Sequence, residues 1–330
     1  MKRNYYITRS GRLKRQDNTI SLESESGDKK VIPVEDVEGF YIMGEIDMNT
    51  KLLNFLAQMK IPVHIFNHYG YYSGSYYPRE HLNSGFLLVN QVECYKDAVH
   101  RLAIAKELIH SAVHNILRNL KYYQNRKSCV DDYIKDIETI IPRIEESKNI
   151  LELMAWEGHV RERYYNSFNA ILSLEEEFIK RNRRPPDNMM NALISFGNSL
   201  LYATTLGEIY HTQLNPTISF LHEPGNRRFS LSLDIAEVFK PVIVDHIIFR
   251  LINMNMLGER EFEKDVNYCY LSESGRKIFL REYDERLNTT IKHRSLKRNV
   301  SYRHLIRLEC YKIEKSITGM EEYKGFKTWW

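Results

Sequence analysis

The sequence predicts an α+β protein: a small N-terminal β-sandwich over residues 1–85, then a larger all-α domain over residues 86–330. Three observations predict it. Up to about residue 80, short aromatic and β-branched runs alternate with turn clusters. From Gln91 onward the apolar period changes from two to 3.6. Between them, Pro78 to Leu88 fits neither pattern and reads as the joint.

The front elements follow in order. Tyr5-Tyr6-Ile7-Thr8 is a strand-forming run. Gly11 to Asn18 reads as a turn into a second strand, Thr19–Glu23. The cluster Ser24-Glu25-Ser26-Gly27-Asp28 turns the chain back into Lys29–Val34 as a hairpin partner. Val37–Ile42 is a further strand. Leu52, Phe55, Leu56 and Met59 recur at i, i+3, i+4 and i+7, which is a helix. Val63–Phe66 and Tyr71–Tyr77 return to strand. Tyr69, Tyr71, Tyr72, Tyr76 and Tyr77 suit either base stacking or strand and dimer-interface roles. Beyond the joint, Ala98, Leu102, Ala105, Leu108 and Ile109 mark a long helix to about Tyr123. Asp131–Ile140, Glu145–Leu172 and Asp187–Thr212 continue the helical pattern.

Composition narrows the functional class. The 330 residues are 43% hydrophobic, enough for a packed core, and the net charge is only +4. The four cysteines lie far apart with no CxxC pair, as in a cytoplasmic protein with reduced thiols. No signal peptide is visible, and no stretch approaches the roughly 20 apolar residues of a membrane span. There is no Gly-rich phosphate loop and no GxSxG elbow, which argues against P-loop NTPases and α/β-hydrolases. His110 and His114 stand four apart, but Ser111 occupies the glutamate position of HExxH.

Chemistry concentrates in the segment from Phe220 to Pro241. His222 precedes a turn marked by Pro224-Gly225-Asn226, and a helix follows with Ser230 or Ser232 as its cap. Leu231, Ile235 and Val238 form its buried stripe, while Asp234 and Glu237 stack on one face. One imidazole with carboxylates suits Mg²⁺ or Mn²⁺ better than structural zinc; the alternative is a surface helix with two solvated acids. Upstream, Glu157, Arg161 and Tyr164 share a helical face beside Met154, Ala155 and Trp156. Arg181, Arg183 and Arg184 form a basic cluster suited to phosphate, or simply a solvated loop.

These residues come in a recognisable order: Glu157-Gly158 and Tyr164; Arg184-Pro185-Pro186-Asp187 with Asn191 to Gly197; then Phe220-Leu221-His222, Ser230, Asp234, Glu237 and Lys240-Pro241. The sequence resembles the CRISPR-associated integrase family Cas1 over essentially its whole length. The resemblance implies a β-sandwich before a helical catalytic domain, a homodimer, and a complex with the partner protein Cas2 bridging two dimers. It places Glu157, His222 and Glu237 as ligands of Mg²⁺ or Mn²⁺, with Asp234 as an assisting acid. Asn191 and Ser195 would line the pocket floor, with Tyr164 beside them. Asn198, Asn215, Ser219 and Lys240 depart from the residues common at those positions, and none removes a ligand.

The implied reaction is transesterification of double-stranded DNA, joining a spacer 3′-hydroxyl to a repeat; with water as nucleophile the same site acts as an endonuclease. His222 binds metal only when neutral, so activity should fall as pH drops below its titration range. The tail supports a polyanion partner. Arg276, Lys277, Arg281 and Arg286 precede Lys292, Arg294, Lys297, Arg298, Arg303 and Arg307, and no acid lies between Thr290 and Leu308. Of these, Arg276, Arg294, Lys297 and Arg298, with Arg184, are the expected DNA contacts. The competing readings are a branched-DNA nuclease outside CRISPR adaptation and an inactive DNA-binding scaffold.

Overall fold

The computed structural model describes residues 2–24, 27–126, 129–172, 174, 177–182, 185–225, 229–265 and 268–329. Glu25, Ser26, Arg183, Arg184 and Asn226 lie outside the described residues. The N-terminal part holds strands β1 (Arg3–Ile7), β2 (Gly11–Gln16), β3 (Thr19–Ser24), β4 (Lys29–Pro33), β5 (Val37–Ile42), β6 (Ile46–Met48), β7 (Val63–Phe66) and β8 (Tyr72–Tyr76), with helix α1 (Thr50–Met59). They form two four-stranded sheets, ordered β1-β5-β7-β8 and β4-β3-β2-β6. β1, β5 and β7 run parallel, and β8 closes that sheet antiparallel. β2, β3 and β4 are an antiparallel meander, with β6 parallel to β2.

One buried cluster including Ile7, Leu13, Ile20, Ile32, Phe40, Leu52 and Phe55 fills this front. Two features depart from the sequence reading. Gly11 to Gln16 is itself a strand, because Leu13 alternates into the core, and the turn shrinks to Asp17-Asn18 with Asp17 at φ 51°. The short β6 was not anticipated.

The helical part comprises α2 (Gly85–Lys96), α3 (Ala98–Gln124), α4 (Asp131–Glu146), α5 (Ile150–Asn166), α6 (Phe168–Ile171), α7 (Met189–Tyr210), α8 (Ser230–Phe239) and α9 (His246–Asn253). It is not purely helical. Ribbons β9 (Phe262–Asp265)/β10 (Tyr268–Leu271) and β11 (Thr290–Lys292)/β12 (Asn299–Ser301) flank α10 (Glu273–Asn288), and α11 (Tyr302–Ile317) follows. Each ribbon is only three or four residues long, too short for a visible alternation.

Caps set the boundaries that periodicity missed. Ser84 accepts from the Leu87 N–H, so α2 starts inside the expected joint. Asp97 then caps α3 through the N–H groups of Val99 and His100. α4 runs through Pro142, and Asn149 caps α5 through Glu152. His114 bonds the Thr328 carbonyl and His110 lies beside Glu145, so this pair is structural.

Front and helices share their interior. Tyr41, Met43 and Phe66 belong to the main helical core. The Tyr41 hydroxyl meets Thr204 at 3.0 Å, and Thr204 meets Tyr283 at 2.9 Å, joining β5, α7 and α10. Gly197 lets α7 approach its neighbours, since a Cβ there would sit 2.5 Å from Val244 Cγ1.

His64 is buried in β7, 1% exposed, with Nδ1 on the Ser75 hydroxyl at 2.7 Å. Burial pulls its pKa down to about 3, and those of His211 and His246 down to about 4. The unfolded chain titrates histidine near ~6.5. Their contribution is therefore present above that pH and is lost as pH falls towards the folded values, at about 1.4 kcal/mol per pH unit and proton. Urea denaturation between pH 6.5 and 4.5 should show stability falling with acid, and falling less steeply by about one proton's slope in His64→Gln; parallel slopes would contradict this assignment.

Candidate active site

Three elements bring the candidate residues to one cavity of about 1790 Å³. α5 contributes Glu157 and Arg161, one turn apart on the same face. α8 contributes Glu237, and Lys240 follows at its C-cap. The segment between α7 and α8 contributes His222. Glu157, Arg161, His222, Glu237 and Lys240 all line the cavity.

The His222 segment is irregular but tethered on several sides. Gln91 of α2, fully buried, donates to the Asn215 and Ile218 carbonyls and accepts from the Asn215 N–H. Arg101 of α3 donates to the Phe220 carbonyl at 2.9 Å. Ser219 donates to the His222 carbonyl at 2.6 Å, and its oxygen lies 2.8 Å from the Ser230 hydroxyl. Ser230 is thus the first residue of α8 and a loop tie, and neither it nor Ser232 is the helix cap: Ser232 bonds back to the Phe229 carbonyl.

Asp234 is the centre of this tether. Its carboxylate, fully buried, accepts from the N–H groups of Phe220 at 2.6 Å, Leu221 at 2.9 Å and His222 at 3.0 Å. It also meets His222 Nδ1 at 2.8 Å. With Nδ1 held there, Nε2 is the ring nitrogen left to serve a ligand. Burial lowers the His222 pKa, but Asp234 more than reverses this, so it is raised above the ordinary imidazole value. Asp234 faces the imidazole and backbone and does not line the cavity.

Arg161 ties the two glutamates together. Nε donates to Glu157 Oε1 at 3.1 Å and Nη2 to Glu237 Oε2 at 2.5 Å. Nη2 also reaches the Glu237 carbonyl at 3.3 Å. That carbonyl lacks the usual i+4 helical donor, because the residue four positions on is Pro241. Lys240 takes the other oxygen of Glu237. Burial pushes the Glu237 carboxyl up, yet Lys240 and Arg161 outweigh it and hold it well below the usual carboxylate range.

Among the described residues, no three His, Cys, Asp or Glu side chains are drawn together as a ready cation cage. The cause is visible: two side-chain cations occupy the carboxylates. The donor chemistry nonetheless fits Mg²⁺ or Mn²⁺, with hard oxygens from Glu157 and Glu237 and an imidazole whose other nitrogen is fixed by a carboxylate.

Other predicted residues fall differently. Ser195 lines the cavity and accepts from Arg181 Nη2 at 2.8 Å. Asn191 does not line it; fully buried, it accepts from Arg181 and donates to the Lys180 carbonyl and Asp187. Tyr164 is fully buried against Phe168, and its neighbour Tyr165 lines the cavity instead. Tyr71 and Tyr72 reach the cavity rim, whereas Tyr77 packs on Tyr210 and Phe229.

Missed in the sequence were Tyr165 and the stripe Asn198, Ser199 and Tyr202 on α7. With Ser195 the stripe repeats at i, i+3, i+4 and i+7 on an otherwise apolar helix, a signal that was available. Lys180 and Arg181 add positive charge to the wall.

The basic tail divides. Arg276 is committed to the fold, donating to the His68 and Leu271 carbonyls. Arg286 bonds Val242, Arg303 bonds Lys2, and Arg307 bridges Glu208 and Glu38. Arg294, Lys297 and Arg298 remain exposed in the β11–β12 turn, outside the cavity wall.

Fold and cavity together define a class: an α+β enzyme presenting carboxylates, an imidazole and cationic side chains to one polar cavity, the set that phosphodiester chemistry uses. A family model described as CRISPR associated protein Cas1 matches residues 5–285. A relative from Thermodesulfovibrio yellowstonii, named CRISPR-associated endonuclease Cas1 3, is 54% identical over 328 residues, 99% of this chain and 100% of its own. The CRISPR-associated endonuclease Cas1 of Clostridium perfringens is 52% identical, with 100% of both chains covered. The solved structure of a Cas1 protein from Thermotoga maritima superposes with TM-score 0.89 at 42% identity, covering 98% of this chain and 99% of that one. The chain belongs to the CRISPR-associated Cas1 family. It is an enzyme of the endonuclease class for which those relatives are named.

Replacing Asp234 by Ala removes the acceptor of three backbone N–H groups at once. Each buried donor left unpaired costs about 1–3 kcal/mol. Asp234→Ala should therefore lose at least about 3 kcal/mol in urea denaturation, and a loss under about 1 kcal/mol would show the tether to be dispensable.

Proposed function

We propose that the chain is the DNA integrase and endonuclease of CRISPR spacer acquisition, joining the 3′-hydroxyl ends of double-stranded spacer DNA to repeat DNA. The observation that carries this reading is the convergence of Glu157, His222 and Glu237 on one cavity from separate elements. These three hold Mg²⁺ or Mn²⁺, with Asp234 fixing the imidazole. The ion, when bound, neutralises phosphoryl charge and lowers the pKa of the attacking hydroxyl. Arg181, fastened by Ser195 and Asn191, and Lys180 beside it add positive charge to the wall, which favours a DNA phosphate there. A DNA 3′-hydroxyl attacking phosphorus transfers the strand and releases the former 3′-oxygen, which takes up a proton. Water in its place cleaves the strand.

The partners belong to the same proposal: DNA, a second copy of the chain and Cas2, with residues 1–85 as the dimer and partner unit. Solved structures with this fold include one described as a Cas6-RT-Cas1–Cas2 complex, TM-score 0.87, and a Cas1–DNA complex, TM-score 0.51. A casposase bound to integration product also shares the fold, TM-score 0.89 at 21% identity. Arg294, Lys297 and Arg298 supply sequence-independent phosphate contacts.

The test is strand transfer of spacer-like DNA into a repeat, with Mg²⁺ or Mn²⁺ and the purified Cas2 partner. Glu157→Ala and His222→Ala should each fall at least about a hundredfold while binding DNA as the parent does, as expected for lost phosphoryl-charge stabilisation. Undiminished joining by either variant would leave an inactive DNA-binding scaffold as the better reading.

A further inference from the structure

Behind the two glutamates lies an acid that the reading above does not use. Asp245 is buried, 2% exposed, and its Oδ2 has no hydrogen-bond partner. Arg161 Nη1 is likewise buried without a partner, and the two groups interact electrostatically. Unpaired buried polar atoms are rare enough to call for an explanation. The Tyr164 hydroxyl faces the same carboxyl and also accepts from Asn119 Nδ2 at 3.1 Å.

The backbone is shaped to bring Asp245 there. Eight positions separate it from Glu237. On a regular α-helix eight steps leave the two about 80° apart in azimuth. Here residues Pro241–Asp245 form a π turn, in which the Asp245 N–H bonds the Lys240 carbonyl five positions back at 3.0 Å. A wide turn absorbs one extra residue, so Asp245 falls roughly where the seventh position would, on the Glu237 face.

A cation can take Glu157 and Glu237 only as Arg161 gives them up. Arg161 is 9% exposed and lines the cavity, so on leaving the glutamates it needs another counter-charge or must face the cavity unpaired. Its ion pairs are with Glu157 and Glu237 alone among the described residues, and Asp245 interacts with it electrostatically without being paired to it. We propose that Asp245 is a positioning residue that receives Arg161 when the glutamates bind a divalent cation, and so sets the affinity of the Glu157–His222–Glu237 site for that ion. This rests on the metal-site reading above. Asp245 touches neither substrate nor ion and acts through Arg161.

The test is Mn²⁺ titration of the full chain, reading free Mn²⁺ by electron paramagnetic resonance. The parent should bind Mn²⁺, and His222→Ala should abolish that binding. If the parent shows no His222-dependent binding, the site reading fails and this inference with it. Given that binding, Asp245→Asn should weaken it by about tenfold, the scale of loss when a group behind a ligand is removed. Parent-like affinity in Asp245→Asn overturns the inference and leaves the site reading intact.

Arg161→Gln supplies the readout that a merely structural role would not move. In that background Asp245→Asn should change Mn²⁺ affinity less than about twofold, because the residue it acts through is gone. A further tenfold loss there would show Asp245 acting independently of Arg161 and overturn the proposal. Should Asp245→Asn lose its cooperative thermal transition, Tyr164→Phe tests the same carboxyl. It is expected to weaken Mn²⁺ binding about threefold, and unchanged affinity would overturn the proposal.

Discussion

The interaction on which the rest of this structure depends is the guanidinium of Arg161 held between Glu157 and Glu237. Two carboxylates beside an apolar core are costly to bury unless a cation accompanies them. Arg161 spans them, Lys240 completes the second, and the contact clamps α5 to α8. Removing one member of such a buried set typically costs about 3–5 kcal/mol, because the other charge is left unpaired. The same oxygens that give the cavity its chemistry therefore hold two helices together. Structure and reactivity compete for one set of lone pairs, and the competitor of any incoming cation is built into the wall.

A second constraint governs the imidazole. His222 sits on an irregular segment whose backbone donors have no helix or sheet to satisfy them. Asp234 satisfies three of these and the ring nitrogen together. One buried acid thus shapes the loop, fixes the ring's tautomer and raises its basicity. Gln91 and Arg101 brace the loop from α2 and α3, so the ligand candidate is held from three helices.

Much of this was legible in the sequence, for identifiable reasons. Strong β-branched runs and the periodic stripe of Leu52, Phe55, Leu56 and Met59 gave element types correctly. The two ribbons escaped because three or four residues carry too little alternation to read. Spacing showed Asp234 and Glu237 on one helical face near His222, and the family resemblance added Glu157 to them. Roles were harder. Asp234 read as an assisting acid through the family resemblance, since spacing shows a shared face but not what the face meets. Tyr164 and Asn191 read as cavity residues; the fold buries both and uses Asn191 to tie Lys180 to Asp187. Charge misled most. Arg276, Arg303 and Arg307 belonged to a basic tail in one dimension, yet their guanidinium groups bond inward to carbonyls and glutamates. A count of positive residues cannot distinguish a surface field from a set of internal braces.

The π turn after Lys240 makes chain length here a matter of phase. Removing one residue from it would restore an even α-helical spiral and swing everything after it by roughly 100°. Phe249 would leave its edge-to-face contact with Phe168, and α9 would present a different side to α6 and α10. Between α8 and α9 the number of residues is thus fixed more tightly than their identities, and divergence there should proceed by substitution and not by insertion or loss.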